Sequence, residues 1–174
     1  EKYQVHACEA EHSIPTFSFL FEEKEKPGTF YPDKANSLGI PKGELWHKLQ
    51  QGEEVMIENK SVKPSEVMGP KVPGKKIGIS GDTRPTKKLE EFFKNCDYLV
   101  FDSTFSDELK EKAVESCHST AKEAATFANN ASVSNLILTH FSARYKNENV
   151  LLEEAKAVHN SVIAAKDQLK INIV

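Results

Sequence analysis

Three side chains of types that bind metals or transfer protons stand just past the ends of predicted strands. They are Asp82 after the strand at 76–80, Asp102 after the strand at 98–101 and His140 after the strand at 135–139. In sheets with parallel strands, ligands bind in the crevice beyond the carboxyl ends of the strands. Each residue alone is also explained as a turn cap or a core histidine. Three such residues at successive strand ends indicate a common site.

The residue types at these strand ends favour metal-assisted hydrolysis. Histidine and aspartate without nearby thiolates suit Zn²⁺ or Mn²⁺. An aspartate that bridges two ions could hold them on the attacking and leaving oxygens of a phosphodiester. The loop histidines are His12, His118 and His140, and no H-x-H or H-x-x-x-H pair is present. Because two tetrahedral ions need about eight ligand positions, the sequence predicts an incomplete metal site.

The arginines are confined to the same loops. Among the 23 basic residues only Arg84 and Arg144 are arginine, and each lies within four residues of a candidate ligand. Arginine forks onto phosphate or carboxylate in a way that lysine cannot, which indicates anion recognition. A structural ion pair of these arginines with Asp82 or Asp102 is an equally good explanation.

Alternating strands and helices predict a layered α/β domain over residues 1–174. Glycine and proline punctuate residues 24–75, which we predict to be an insertion with a helix at 44–51 and a strand at 55–58. Thr120 and Glu123 have the spacing of a helix capping box. The other predicted strands are 3–8, 16–22 and 170–174, and the other predicted helices are 86–94, 106–116 with Ser106 as its cap, a helix from 119 or 120 onward, and 147–159.

Composition limits the functions that the chain can have. The net charge of −3 does not favour a general nucleic-acid coat protein, so any RNA affinity must come from local patches. No apolar run is long enough for a membrane span. The three cysteines form no C-x-x-C pair, which is typical of a reducing compartment and predicts a cytoplasmic protein. The chain begins at Glu1 inside an alternating segment, which suggests a fragment.

Several motifs, in order along the chain, resemble the C-terminal motifs of ribonuclease Z, a family of the metallo-β-lactamase superfamily. The combination of GDTRP at 81–85 with THFSARY at 139–145 is specific to this resemblance. One segment departs from the family pattern, which commonly has His-Glu-Ala-Thr where this chain has residues 101–104. The other matching segments are HSIPTF at 12–17, KPG at 26–28, LGIPKG at 38–43 and HSTA at 118–121.

The resemblance implies the C-terminal half of an αββα sandwich and a role for each matching residue. His12 and His140 would each bind one zinc ion, and Asp82 would bridge the two. His118 would be the catalytic histidine near the leaving oxygen, oriented by Asp102. Arg144 would face a substrate phosphate.

The resemblance also implies the activity and the partners. The family cuts precursor tRNA after the discriminator base, leaves a 3′-hydroxyl and forms homodimers. Its H-x-H-x-D-H ligand motif and its tRNA-gripping arm lie upstream of the residues matched here, so this chain alone is expected to be inactive and to need the missing N-terminal half. Two alternatives stay open: a phosphodiesterase of the same fold that acts on small esters, and a non-catalytic half-domain that pairs with a partner.

Overall fold

The computed structural model describes residues 2–173 and divides the chain into two compact units, one formed by residues up to Glu23 and from Lys75 onward, the other by Lys24–Gly74. The strands are β1 (Tyr3–Ala10), β2 (Thr16–Glu23), β3 (Val55–Ile57), β4 (Lys60–Val62), β5 (Lys76–Ile79), β6 (Tyr98–Asp102), β7 (Asn135–Thr139) and β8 (Val162–Ala164). The α-helices are α1 (Pro32–Ser37), α2 (Glu44–Gln50), α3 (Pro64–Val67), α4 (Lys87–Phe92), α5 (Lys110–Glu115), α6 (Ala121–Asn130) and α7 (Asn149–Lys156).

The first unit is built on a six-stranded mixed sheet in the order β1-β2-β5-β6-β7-β8. The strands β1, β2 and β5 pair antiparallel, and β5 to β8 pair parallel. Parallel neighbours need crossover connections, which are right-handed in nearly all proteins. The strands β5, β6, β7 and β8 lie side by side in the same order as in the chain. Right-handed crossovers between them therefore place all of the connecting helices on one face of the sheet.

This helical face contains the hydrophobic core of the first unit. The capping box predicted for Thr120 and Glu123 is confirmed and begins α6, whose alanine stripe packs inward. In β5, Gly78 leaves room for α4, since a Cβ there would lie 2.5 Å from the ring of Phe93. The largest buried side chains of this core are Leu89, Phe93, Leu99, Phe101, Phe127, Leu136, Leu138 and Leu151.

The opposite face of the sheet exposes large apolar side chains at its antiparallel end. Phe17 and Phe19 of β2 alternate with the buried Ser18 and Leu20, so they lie on the side away from the helices. Ile79 pairs with Phe19 and extends the same surface. Exposed apolar patches of this kind are typical of surfaces that contact another part of a protein.

The second unit, Lys24–Gly74, has its own small core. Its helices α1, α2 and α3 pack with the β3–β4 hairpin around Leu49 and Val67, both fully buried. Gly28 allows a close backbone approach, because a Cβ there would lie 2.2 Å from the carbonyl oxygen of Gly69. Helices α1 and α3 and strand β4 were not predicted from the sequence.

Two predicted elements differ from the structure. The strand predicted at 170–174 is wrong for residues 170–173, which are irregular, while Val174 lies outside the described residues. The last strand is β8, which pairs with β7. The helix predicted at 106–116 is a 3-10 turn at Asp107–Leu109 followed by α5, and Ser106 makes no side-chain cap.

In residues 2–173, no helix has the length and apolar character needed to cross a bilayer.

Candidate metal and catalytic site

The site begins with the loop that follows β5. Gly81 has a φ of +64°, a conformation that glycine adopts without strain. A side chain there would also lie 3.3 Å from the carbonyl oxygen of Phe17. Asp82 follows this turn, so its carboxylate lies at the end of the sheet, partly exposed.

Asp102 is the last residue of β6, and its side chain is fully buried. Four hydrogen bonds satisfy its carboxylate. The amide and the hydroxyl of Thr104 donate to Oδ1 at 3.0 and 2.7 Å. The amide of Thr83 and Nδ1 of His118 donate to Oδ2 at 3.0 and 2.7 Å. A buried carboxylate needs this number of donors, because an unpaired one would be very costly to desolvate.

His118 lies between α5 and α6 and forms what we call the buried pair with Asp102. The side chains are 15% and 0% exposed. Because Nδ1 is hydrogen-bonded to the carboxylate, Nε2 is the ring nitrogen left for chemistry. Cys117, just before it, has a left-handed backbone with φ of 56°. Such conformations persist where surrounding contacts hold them, and they cluster at functional sites.

Asp82 and His140 form what we call the open pair. Nε2 of His140 lies 3.6 Å from Oδ2 of Asp82, and the side chains are 46% and 40% exposed. Nδ1 of His140 lies 2.8 Å from Oγ1 of Thr104, whose single proton is donated to Asp102. Nδ1 of His140 must therefore carry the hydrogen in this bond, which leaves the lone pair of a neutral ring on Nε2, beside Asp82.

The two pairs lie together. Ligand atoms of all four residues are within 4.8 Å of one another, and the rings of His118 and His140 stack with centroids 4.9 Å apart. Asp102 and Nδ1 of His118 are already hydrogen-bonded to each other, so the atoms of this group that remain free are Nε2 of His118 and the facing atoms of the open pair. Imidazole nitrogen and carboxylate oxygen are ligands that zinc accepts.

His12 lies in the connection between β1 and β2 and contacts His118 without joining the group of four. Its ring centroid is 4.9 Å from that of His118. Its Nδ1 lies 2.9 Å from the carbonyl oxygen of Cys117, which can only accept, so Nε2 carries the free lone pair. His12, a predicted metal ligand, thus lies at the edge of the site. Its neutral ring leaves the lone pair of Nε2 free for a metal.

The two arginines have different surroundings. Arg144 is exposed, donates from Nε to Oγ of Ser142 at 2.9 Å and lies 5.0 Å over the ring of Phe105. Arg84 does not pair with Asp82 or Asp102, so that sequence alternative is wrong. It pairs instead with Glu123, at 2.8 and 2.5 Å.

Three residues that complete the site were not found by sequence reasoning. Thr83 and Thr104 hold the carboxylate of Asp102, and Glu123 holds Arg84. The one available signal was Glu123, which was recognised as the capping-box residue but not as the partner of an unusual arginine. The threonines have no spacing pattern, because loop geometry alone brings them to the carboxylate.

Comparison with known proteins identifies the sequence family. No protein-family model matches the chain. A curated protein named Ribonuclease Z from Nitrosopumilus maritimus is 62% identical over 173 residues, which cover 99% of this chain and 58% of that protein. Proteins of the same name from Methanosarcina acetivorans and Myxococcus xanthus are 44% and 45% identical over 99% and 88% of this chain, and 57% and 51% of their own lengths. The chain spans about half the length of the curated relatives that it matches.

Solved structures show the same fold. Human tRNase Z, short form, matches with a TM-score of 0.61 and 25% identity, over the whole of this chain and 44% of its own. The metallo-β-lactamase fold protein YhfI from Bacillus subtilis matches with a TM-score of 0.59 and 13% identity, over 94% of this chain and 46% of its own. The predicted resemblance and the fold class are both confirmed. The chain belongs to the ribonuclease Z family, corresponds to the C-terminal half of its members and has the metallo-β-lactamase fold.

Proposed function

We propose that the protein to which this chain belongs is a zinc-dependent endoribonuclease that cleaves precursor tRNA at its 3′ end. The single observation that carries the proposal is the contact between the buried pair and the open pair. One pair is arranged for proton transfer and the other for metal binding. Family membership supplies the substrate class.

The proposed metal ligands are His12, Asp82 and His140. Their fit to zinc rests on the two histidine tautomers, since partners at Nδ1 leave a free lone pair on each Nε2. Asp82 has two carboxylate oxygens and would bridge two ions; manganese is a possible substitute. When bound, the metal supplies Lewis-acid activation of the scissile phosphodiester. These ligands are too few for two ions, so further ligands must come from residues outside this chain.

His118 is the proposed general acid. Asp102 accepts the hydrogen of its Nδ1 and fixes the ring, so that Nε2 can deliver a proton to the leaving 3′ oxygen. That oxygen leaves as the 3′-hydroxyl of the tRNA. Because Asp102 is itself held by Thr83 and Thr104, the orientation of the imidazole is set before substrate binds.

Arg144 is the proposed contact for a substrate phosphate. Its side chain is exposed, carries no carboxylate partner among the described residues and rests on Phe105, whose ring lies 6.3 Å from that of His118. A guanidinium held against an aromatic face loses little freedom on binding an anion. The proposal also includes a homodimer, as the resemblance implies, and a cytoplasmic location, which fits three free cysteines.

The test uses a chimera that joins this chain to the part of the Nitrosopumilus maritimus protein that it does not cover. The zinc-loaded chimera is expected to cut a precursor tRNA with a 3′ trailer in single-turnover assays and to leave a 3′-hydroxyl. An Arg144→Lys variant should raise KM with little change in kcat. Hydrolysis of bis(p-nitrophenyl) phosphate without cleavage of precursor tRNA would favour the small-ester phosphodiesterase. A folded, zinc-loaded chimera that cleaves neither precursor tRNA nor bis(p-nitrophenyl) phosphate would support the alternative of a non-catalytic half-domain.

A further inference from the structure

The side chain of Arg84 forms its hydrogen bonds with one segment, which carries His118 and Glu123. Its Nη1 donates to the backbone carbonyl of His118 and, at 2.8 Å, to Oε2 of Glu123. Its Nη2 donates to Oε1 of Glu123 at 2.5 Å. Both side chains of this ion pair are only 13% exposed. Three hydrogen bonds of the guanidinium are therefore directed at this segment and little of its surface is exposed, which favours a structural contact over one with a substrate phosphate.

Glu123 connects the ion pair to the start of α6. Its Oε2 accepts from the amide of Thr120 at 3.0 Å, and the hydroxyl of Thr120 accepts from the amide of Glu123 at 3.1 Å. This capping box fixes the first turn of the helix, whose cap residue Thr120 lies two residues after His118. Arg84 thus fixes the carboxylate that orders this turn and binds the carbonyl of His118 directly.

The neighbouring loop residue, Thr83, holds the same segment. The hydroxyl of Ser119 donates to the carbonyl of Thr83 at 2.6 Å, and the amide of Thr83 donates to Asp102. On the other side, the amide of His118 donates to the carbonyl of Ala113 at 2.8 Å. The backbone of His118 is therefore fixed on both sides, and its ring is fixed by Asp102.

We propose that Arg84 and Glu123 are positioning residues for His118. They set the place of its backbone so that Nε2 meets the leaving oxygen, and neither residue contacts the substrate. The inference rests on the proposed role of His118 as general acid. A buried ion pair contributes little net stability, whereas a guanidinium that forks onto a carboxylate defines a geometry that lysine cannot reproduce. Displacement of a catalytic group by about 1 Å can cost about a hundredfold in rate.

The experiment measures kcat and KM of the zinc-loaded chimera for precursor tRNA. Arg84→Met should lower kcat by about tenfold to a hundredfold and leave KM within about twofold, with zinc content unchanged. The kcat of Arg84→Lys should lie between those of Arg84→Met and the unsubstituted chimera. Lys110→Met is the matched control, because Lys110 approaches Glu123 only at 4.0 Å and is exposed. It should behave as the unsubstituted chimera does.

A double substitution separates positioning from a general structural role. If Arg84 acts through His118, adding Arg84→Met to His118→Ala should cause no further loss of kcat. Independent, additive losses would overturn the inference, and so would loss of zinc or of folded structure in both Arg84→Met and Glu123→Gln. A chimera that does not cut, or a His118→Ala variant that cuts normally, would contradict the proposed function instead. The two failures are therefore distinguishable.

Discussion

The buried pair and the open pair are neighbours, but they differ in their surroundings. This chain supplies hydrogen-bond partners for the whole carboxylate of the buried pair and leaves the open pair exposed to solvent. Asp102 is fully buried with four donors on its carboxylate, and His118 is 15% exposed. Asp82 and His140 are 40% and 46% exposed and contact each other only at 3.6 Å.

This difference fits the two kinds of chemistry that we propose for the two pairs. A proton-transfer pair works when its orientation is fixed, and one chain can supply all the hydrogen bonds that fix it. Metal ligands must keep lone pairs free, so they cannot be satisfied by hydrogen bonds and must stay accessible. Thr104 joins the two, since its hydroxyl contacts both Asp102 and His140.

The largest expected effect separates the two pairs by function. In the chimera, His118→Ala should lower the rate of precursor tRNA cleavage by about a hundred- to ten-thousandfold, the usual contribution of general acid–base catalysis. Its zinc content should not change, because His118 is not a proposed ligand. Asp82→Ala should lose zinc and activity together. If His118→Ala removes the zinc, the division between the pairs is wrong.

A second variant removes the residue that links the pairs. Thr104→Val should weaken zinc affinity by about tenfold to a hundredfold, because Nδ1 of His140 loses the hydroxyl that fixes its tautomer. Competition with a chelator measures the affinity. Thr126→Val is a matched control on α6, where the hydroxyl bonds only the backbone of Lys122. Equal affinities for the two variants would show that Thr104 does not act on the metal.

Stability should depend on only one of the pairs. In the presence of a chelator, Asp102→Asn should lower the free energy of unfolding by about 3 kcal/mol, because the new amide places a donor against groups that themselves donate. Asp82→Asn should change it by less than about 0.5 kcal/mol, as is usual for an exposed site. Urea denaturation of both variants gives the comparison. Similar losses would mean that the open pair is also structural.

The smallest expected effect concerns His159, a histidine outside the site. It contributes to the pH dependence of the free energy of unfolding, independently of both pairs. Burial lowers the pKa of His159 below its usual value, although the carbonyl of Ser134 offsets part of this. The unfolded chain then binds a proton near pH 6.5 that the folded chain does not, so stability falls as pH falls from 6.5 toward the folded pKa. His159→Gln should make unfolding free energy less dependent on pH in that window. An unchanged slope would exclude this residue as a cause.

The sequence was sufficient for much of the sheet and for the residues at its edge. Periodicity located the strands that end near Asp82, Asp102 and His140, and the spacing of Thr120 and Glu123 identified the start of α6. These features depend on neighbours along the chain, which is why they can be predicted locally.

Features that depend on distant partners were missed. The last strand was predicted at 170–174, because that segment has the same apolar β-branched character as β8, and only pairing with β7 selects between them. For Arg84, the sequence left open anion recognition and an ion pair with a nearby aspartate, but Glu123, 39 positions away, holds it. The roles of Thr83 and Thr104 likewise depend on where two loops meet.

The most direct test of the central claim is the amount of zinc held by this chain alone and by the chimera. After dialysis, elemental analysis of the 174-residue chain should find far less than one zinc per chain, because the open pair and His12 are too few ligands. The chimera should hold two. A dialysed 174-residue chain that keeps two zinc ions would contradict the account.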